Sequence, residues 1–206
     1  MKKALIIGTY QNAPYHPFAQ VDEALCGALK PAFSCDVTDD PARLARLEAC
    51  DLLVSYLDAF DSVLPAEYAS SILRFVRDGG GLLCLHNGIS LQTDERMFHL
   101  IGGRFLNHPP QQTLTFTPAP ESFLKDCPGF ALQEEPYRFA FSGEPTETLL
   151  TYTQGGASWP AGWCRREQRG RVAFLTPGHS IRTFQVPAYL DMILRCALWT
   201  CGADED

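Results

Sequence analysis

No Cys-x-x-Cys pair, no His-Glu-x-x-His signature, no basic cluster and no long apolar run occurs in this 206-residue chain. Each absence removes a class of function. The eight cysteines stand singly at 26, 35, 50, 84, 127, 164, 196 and 201. They lack the short paired spacings of structural zinc sites. With no export signal beside them, they read as reduced, mostly buried thiols rather than a disulfide framework. No segment approaches the ~20 apolar residues needed to cross a bilayer. The apolar part of Met1-Lys2-Lys3-Ala4-Leu5-Ile6-Ile7-Gly8 is broken by Thr9-Tyr10-Gln11-Asn12 before it resembles a signal peptide. The formal net charge is -7, which argues against a nucleic-acid partner or an anionic membrane surface. A cytoplasmic protein is expected. Without a repeat, a low-complexity segment or a linker, residues 1–206 read as one domain.

What is present is an alternation of apolar runs and amphipathic segments. Ala4–Gly8, Phe33–Val37, Asp51–Tyr56 and Leu82–Leu85 have the length and composition of strands. Between them, His16–Leu29, a short stretch opened by Pro41, and Pro65–Arg77 carry apolar residues at helical spacing. This pattern predicts a parallel sheet covered on both faces. The second half changes character. Gln112–Thr117 and Thr148–Thr153 alternate polar and apolar residues, as half-exposed antiparallel strands do. A proline-rich loop region is expected between them. Arg171–Leu175 is a further apolar strand, Val186–Trp199 a closing helix, and Ala203–Asp206 an acidic, frayed end. The antiparallel segments also offer a surface for a homo-oligomer.

Two of these strands end alike. Gly79-Gly80-Gly81-Leu82-Leu83-Cys84-Leu85 runs into His86-Asn87-Gly88, and Arg171–Leu175 runs into Thr176-Pro177-Gly178-His179. Ligands of open α/β sheets bind at the carboxyl ends of strands, so His86 and His179 are candidates for one rim. His16 follows the first strand and can reach the same rim. His108, held between Asn107 and Pro109-Pro110, sits in a loop that proline fixes. His99, inside the apolar stretch Met97–Leu100, reads as a packed histidine. Cys84 lies two residues before His86, roughly 6–7 Å back into the core, and reads as a buried thiol. Glu134 and Glu135 read as partly solvated.

Taken in order, GGGLLCLH (79–86), IGGRFLNHP (101–109), EEPYRF (134–139), WPAGWCRREQRGRVAFLTPGH (159–179) and a last helix ending in LW (198–199) resemble the ThuA-like family. That family is named for a trehalose-utilisation protein. The resemblance runs over nearly the whole chain. It implies the class I glutamine-amidotransferase-like fold, a flavodoxin-like three-layer α/β sandwich with antiparallel additions in its second half. His86, His108, Glu135, Tyr137, Arg171 and His179 fall on the family's motif positions, and Glu135 becomes the inward carboxylate of its pair. Three positions depart from the pattern. Gln168 replaces a turn glycine, Ser180 stands where an acidic partner for His179 is common, and Phe184 stands where Trp is frequent.

His86 occupies the turn on which amidotransferases of this fold carry their cysteine. Thiol-based amidotransfer is therefore not expected, and no His-x-Glu follows His179. The resemblance implies a role in using trehalose, another disaccharide or a keto-sugar. Its site would lie at the strand carboxyl ends, with His86, His179 and Glu135 as acid/base residues and His108, Asn107, Tyr137, Arg171 and His16 around the substrate. Two chemistries suit such a set. One is a divalent, zinc-like metal held by His86, His108, His179 and Glu135; the other is metal-free proton transfer. Trp159, Trp163, Tyr137 and Phe105 offer faces for a sugar ring. A non-catalytic sugar- or metabolite-binding protein on a degenerate amidotransferase fold is the rival reading, and a Cys84-dependent hydrolase a third.

Overall fold

The apolar runs of the first half are too short for helices and become strands, and the amphipathic segments between them pack across those strands. The computed structural model describes residues 1–11 and 13–202. Its strands are β1 (Lys2–Gly8), β2 (Phe33–Thr38), β3 (Leu52–Tyr56), β4 (Gly81–Leu85), β5 (Gly103–Asn107), β6 (Gln112–Pro118), β7 (Phe130–Glu134), β8 (Arg138–Phe141), β9 (Glu147–Gln154), β10 (Ala157–Glu167) and β11 (Gly170–Leu175). Its α-helices are α1 (Val21–Leu29), α2 (Ala66–Arg77), α3 (Glu95–Ile101) and α4 (Pro187–Thr200). A short 3-10 turn covers Pro41–Ala45, and another carries the chain from His86 to Thr93.

Nine strands form one sheet in the order β2-β1-β3-β4-β11-β10-β9-β6-β7. Strands β2, β1, β3, β4 and β11 are parallel, and beyond β11 every pairing is antiparallel. Period-two alternation divides the core between the two faces. Ala4, Ile6, Val54, Leu83, Leu85, Ala173 and Leu175 point toward α1 and α4. Leu5, Ile7, Leu53, Leu82, Cys84, Val172 and Phe174 point toward α2 and α3. The result is the flavodoxin-like three-layer sandwich that the resemblance implies.

The reversals matter for the site. Because β10, β9, β6 and β7 each run against the neighbour before, β7 runs in the same sense as β11, and its carboxyl end faces the same rim. The far edge of the sheet also curls. Leu114 and Phe116 of β6 and Tyr152 of β9 share a core with Tyr189, Met192 and Ile193 of α4. Phe130 of β7 packs against Tyr189 with ring centroids 5.6 Å apart.

Several expectations need correction. The helix predicted from His16 starts at Val21. Pro17 has no N–H to give, the Phe18 N–H bonds back to the Thr9 carbonyl at 3.3 Å, and Gln20 takes φ +72° just before the first turn. Residues 16–20 therefore form a loop. The proline-rich region is not all loop, because β7 and β8 lie between Pro128 and Pro136 and just after them. Each is four or five residues long, too short for a periodic signal. Strand β10 is invisible in the sequence because it contains Pro160 and Gly162, residues normally excluded from strands. They sit where the β10–β9 register shifts. The expected frayed end, Ala203–Asp206, lies outside the described residues.

Gln168, the residue at a family turn glycine, holds φ +50° between β10 and β11 with its side chain exposed. A left-handed conformation costs a side-chain-bearing residue about 1–2 kcal/mol, partly offset by the chain entropy that glycine loses on folding. Gln168→Gly is therefore expected to stabilise the fold by about 0.5–1 kcal/mol. Equilibrium urea unfolding checks this, and a lower midpoint would contradict it.

Candidate functional site

Five chain segments leave the same rim of the sheet: after β1, β3, β4, β7 and β11 they bring His16, Asp58, His86, Glu135 and His179 together. His86 is the first residue past β4 and adopts φ +47°. That kink turns its ring inward, where it is completely buried. The two residues that permit the turn are glycines in close contact. A Cβ on Gly88 would lie 1.8 Å from the Ser55 carbonyl oxygen, and one on Gly178 would lie 2.5 Å from the His86 Cβ. Asn87, also fully buried, donates from Nδ2 to the Tyr56 carbonyl at 2.8 Å.

The partners of each ring fix which nitrogen is available. The His86 Nδ1 lies 2.6 Å from the Thr176 carbonyl. A carbonyl only accepts, so Nδ1 carries the hydrogen and Nε2 presents its lone pair. The His16 Nδ1 likewise faces the Asp58 carboxylate at 2.9 Å. The two Nε2 atoms then meet at 3.1 Å, with the Glu135 Oε2 at 3.3 Å from His86 and 4.0 Å from His16. The other oxygen of Glu135 stands 3.2 Å from the His179 Nδ1 and 3.5 Å from the His108 Nε2. Four of the chain's five histidines thus surround one carboxylate.

Electrostatics follow from this crowding. Burial disfavours charge on His16, but the Asp58 and Glu135 carboxylates outweigh it and hold the ring's pKa at about 9. Burial also opposes charge on Glu135. The surrounding imidazoles of His16, His179 and His86 overcome it and keep the carboxyl far below the usual carboxylate range. The Tyr137 hydroxyl lies 3.1 Å from the His86 Nε2, and its ring stacks on that imidazole with centroids 4.6 Å apart. Burial, and then the neighbouring Glu135, push its pKa well up, so it stays a phenol.

A layer behind these groups holds them. Glu134 is fully buried, not partly solvated as expected. Its carboxylate accepts from the backbone N–H of Gly178 at 2.8 Å and of His179 at 3.2 Å, and from the Thr183 hydroxyl at 3.1 Å. It also accepts from the N–H of Glu135 at 3.0 Å. The Gly178 carbonyl in turn accepts from the Tyr56 hydroxyl at 2.6 Å, and the Pro177 carbonyl accepts from Tyr189 at 2.5 Å. The loop bearing His179 is therefore pinned at every step.

The arrangement fits a metal ion. One nitrogen each from His16, His86 and His179 and one oxygen from Glu135 lie within 4.8 Å of one another. Ligand atoms ~2.0–2.1 Å from a tetrahedral ion would stand ~3.4 Å apart. The His16–His86 and His86–Glu135 contacts of 3.1 and 3.3 Å come near that spacing, His16 and Glu135 stand 4.0 Å apart, and His179 meets the second oxygen of Glu135 at 3.2 Å. The His179 Nδ1 is buried without a hydrogen-bond partner, an orphan that a cation would satisfy. The Asp58 carboxylate and Thr176 carbonyl on the far ring nitrogens are the supports that ligating histidines require.

Other sequence candidates land differently. His108 is not in the four-residue set, where His16 takes its place. It stands on the lip, with its side chain one-third exposed and its Nδ1 facing the Pro109 carbonyl at 2.9 Å. Asn107 beside it is exposed at the end of β5. Arg171 is not at the rim. It sits at the opposite end of the sheet, level with Gly81, and donates to the Trp199 carbonyl at 3.0 Å. Trp163 is a core residue whose indole N–H bonds to the Ile101 carbonyl, and Trp159 lies under the Arg138 guanidinium. Of the four aromatic candidates, Tyr137 and Phe105 line the site, their centroids 4.3 Å apart. His99 is exposed rather than packed and faces Glu95 and Glu144. Cys84 is completely buried on the α2 face, and burial raises its pKa far above the usual thiol value. Asp58 escaped the sequence reading, although its place two residues past the end of β3 is the signal that singled out His86.

Comparison with known proteins agrees with the fold. A family model described as "ThuA: Trehalose utilisation" matches residues 3–200. A putative ThuA-like protein from Parabacteroides merdae ATCC 43184 superposes with a TM-score of 0.81 at 16% identity, over 98% of this chain and 91% of that one. A second, from Bacteroides uniformis ATCC 8492, gives 0.75 at 19% identity over 97% and 91%. A cytoplasmic protein from Salmonella typhimurium LT2 gives 0.67 at 15% identity over 95% and 97%. The curated proteins give no match. Among the described residues, no helix is long and apolar enough to cross a membrane.

Proposed function

We propose, from the premise that the chain belongs to the ThuA, trehalose utilisation, family, that its rim cluster is a divalent-metal centre that binds and processes a disaccharide or keto-sugar. The observation that carries this reading is the set of His16, His86, His179 and Glu135, whose ligand atoms converge within 4.8 Å. Three imidazoles and a carboxylate are the donors of zinc-like sites. The eight free thiols and the cytoplasmic Salmonella neighbour support a cytoplasmic location.

A bound divalent ion supplies Lewis-acid polarisation of a sugar oxygen and acidifies a water molecule. The chain's own residues do the rest. Asp58 and the Thr176 carbonyl hold the His16 and His86 rings with Nε2 facing the centre. Tyr137, kept protonated, offers an O–H at the His86 side, backed by the Phe105 ring. His108 stands where a ligand enters. Its Nε2 faces Glu135, so a sugar hydroxyl passing the lip meets a donor and an acceptor together.

Titrating the metal-depleted protein with zinc in a calorimeter and in thermal unfolding tests the reading. One ion per chain is expected. At a free zinc concentration 100 times Kd the gain in stability should be about 2.7 kcal/mol, reversed by a chelator. Absence of both binding and stabilisation removes the metal. Trehalose and keto-disaccharides are then tested with and without zinc. Metal-dependent binding without turnover would assign the site to a sugar-binding protein rather than an enzyme.

A further inference from the structure

Two thiols face the same part of the core, far from the rim. Helix α1 descends on one face of the sheet, and β2 returns beside it after Lys30, Pro31 and Ala32. From Cys26 to the end of α1 the helix covers ~4.5 Å at 1.5 Å per residue. From Phe33 to Cys35 the strand climbs back ~6.6 Å. The two cysteines are therefore nearly level. Alternation along β2 settles direction: Phe33, Cys35 and Val37 pack toward the core that α1 covers, as Cys26 does from the helix side, and Ser34 and Asp36 are exposed. Each thiol also acts on the other's pKa, as near neighbours do. Both are part-exposed, unlike Cys84, Cys164 and Cys196, and β2 is an edge strand, which leaves a path from solvent.

We propose that Cys26 and Cys35 are a modification site, a dithiol that small-molecule disulfides oxidise reversibly to an intramolecular disulfide. The Cys26 thiolate, having given up its proton to solvent, attacks one sulfur of the small disulfide. A mixed disulfide forms and one small thiolate leaves. The Cys35 thiolate then attacks the Cys26 sulfur, closing the protein bridge and expelling the second small thiolate. The protein loses two hydrogens, and the small disulfide gains them as two thiols. Burial raises both thiol pKa values, that of Cys35 to about 12, so the exchange is slow at neutral pH and accelerates as pH rises. The bridge would clamp α1, whose first residue lies five positions after His16, to the edge of the sheet.

The test uses the full chain, incubated with oxidised glutathione at pH 8.5, quenched with acid and alkylated under denaturing conditions. Mass mapping is expected to show the peptide containing both residues two hydrogens lighter and unalkylated at 26 and 35, with the bridge reversed by dithiothreitol. The bridged protein is expected to melt at a higher temperature. Cys26→Ser and Cys35→Ser are each expected to abolish the bridge and to carry glutathione on the remaining cysteine. Glutathione on either residue of the unsubstituted protein without closure overturns the proposal. So does full alkylation of both, or a bridge elsewhere with these two left free. The unsubstituted protein decides the matter even where a variant fails to fold.

Discussion

Replacing His86 by alanine is expected to abolish zinc binding, lowering affinity by well over the ~100-fold that loss of even a supporting residue can cost. His86 contributes the Nε2 that lies closest to the other donors, 3.1 Å from His16 and 3.3 Å from Glu135. Its removal also leaves the Thr176 carbonyl without its donor and Tyr137 without its stacking partner. A loss of metal binding could therefore reflect collapse of the rim. His108→Ala separates the two explanations. His108 touches Glu135 from the lip and is not one of the four converging ligands, so zinc affinity should change by less than about threefold while sugar affinity falls. Calorimetric titration of both variants measures this. If His86→Ala binds zinc as the unsubstituted protein does, the centre does not exist as described.

Glu134→Ala should unfold the protein more readily by about 3–5 kcal/mol, the penalty for breaking a buried charged network. The carboxylate serves the N–H groups of Glu135, Gly178 and His179 and the Thr183 hydroxyl, and alanine leaves all four without that acceptor at a fully buried position. Glutamine keeps one oxygen but turns an NH2 toward donors, so Glu134→Gln should fall between. The same substitution should weaken metal binding at least tenfold, because it frees the loop that holds His179. Urea unfolding with and without zinc gives both quantities. A change under about 1 kcal/mol in the metal-free alanine variant would show that water replaces the carboxylate, and that the buried network contributes little.

The sequence displays the parallel half of this fold clearly and the antiparallel half poorly, for a physical reason. Parallel strands are buried on both faces and write themselves as apolar runs, which is why Ala4–Gly8, Leu82–Leu85 and Arg171–Leu175 stand out. Strand β10 interrupts its pattern with Pro160 and Gly162 at a register shift, and β7 and β8 are too short to show a period. The site divides the same way. His86 and His179 were legible because each ends an apolar run. His16 was legible as a loop residue only through its strand, since the helical spacing from residue 16 masked the break at Pro17. Glu134 and Glu135 are adjacent and chemically identical. The motif match marks the second, and the path of β7 shows that the first turns back onto the His179 loop while the second reaches the histidines. Arg171 matched a motif, but a motif does not say at which end of its strand a residue lies.

The curled far edge of the sheet has a consequence for how the protein matures. Strand β7 brings Glu135 to histidines that leave β1, β4 and β11, so the four proposed ligands come from positions 16 to 179 of the chain and from opposite ends of the strand order. A nascent chain in which only β1 to β4 have assembled holds His16 and His86 with no carboxylate between them. Such long-range pairings form late, so tight zinc binding would be acquired in the last stage of folding. Metal capture would then act as a latch that favours finished molecules over partly wound ones.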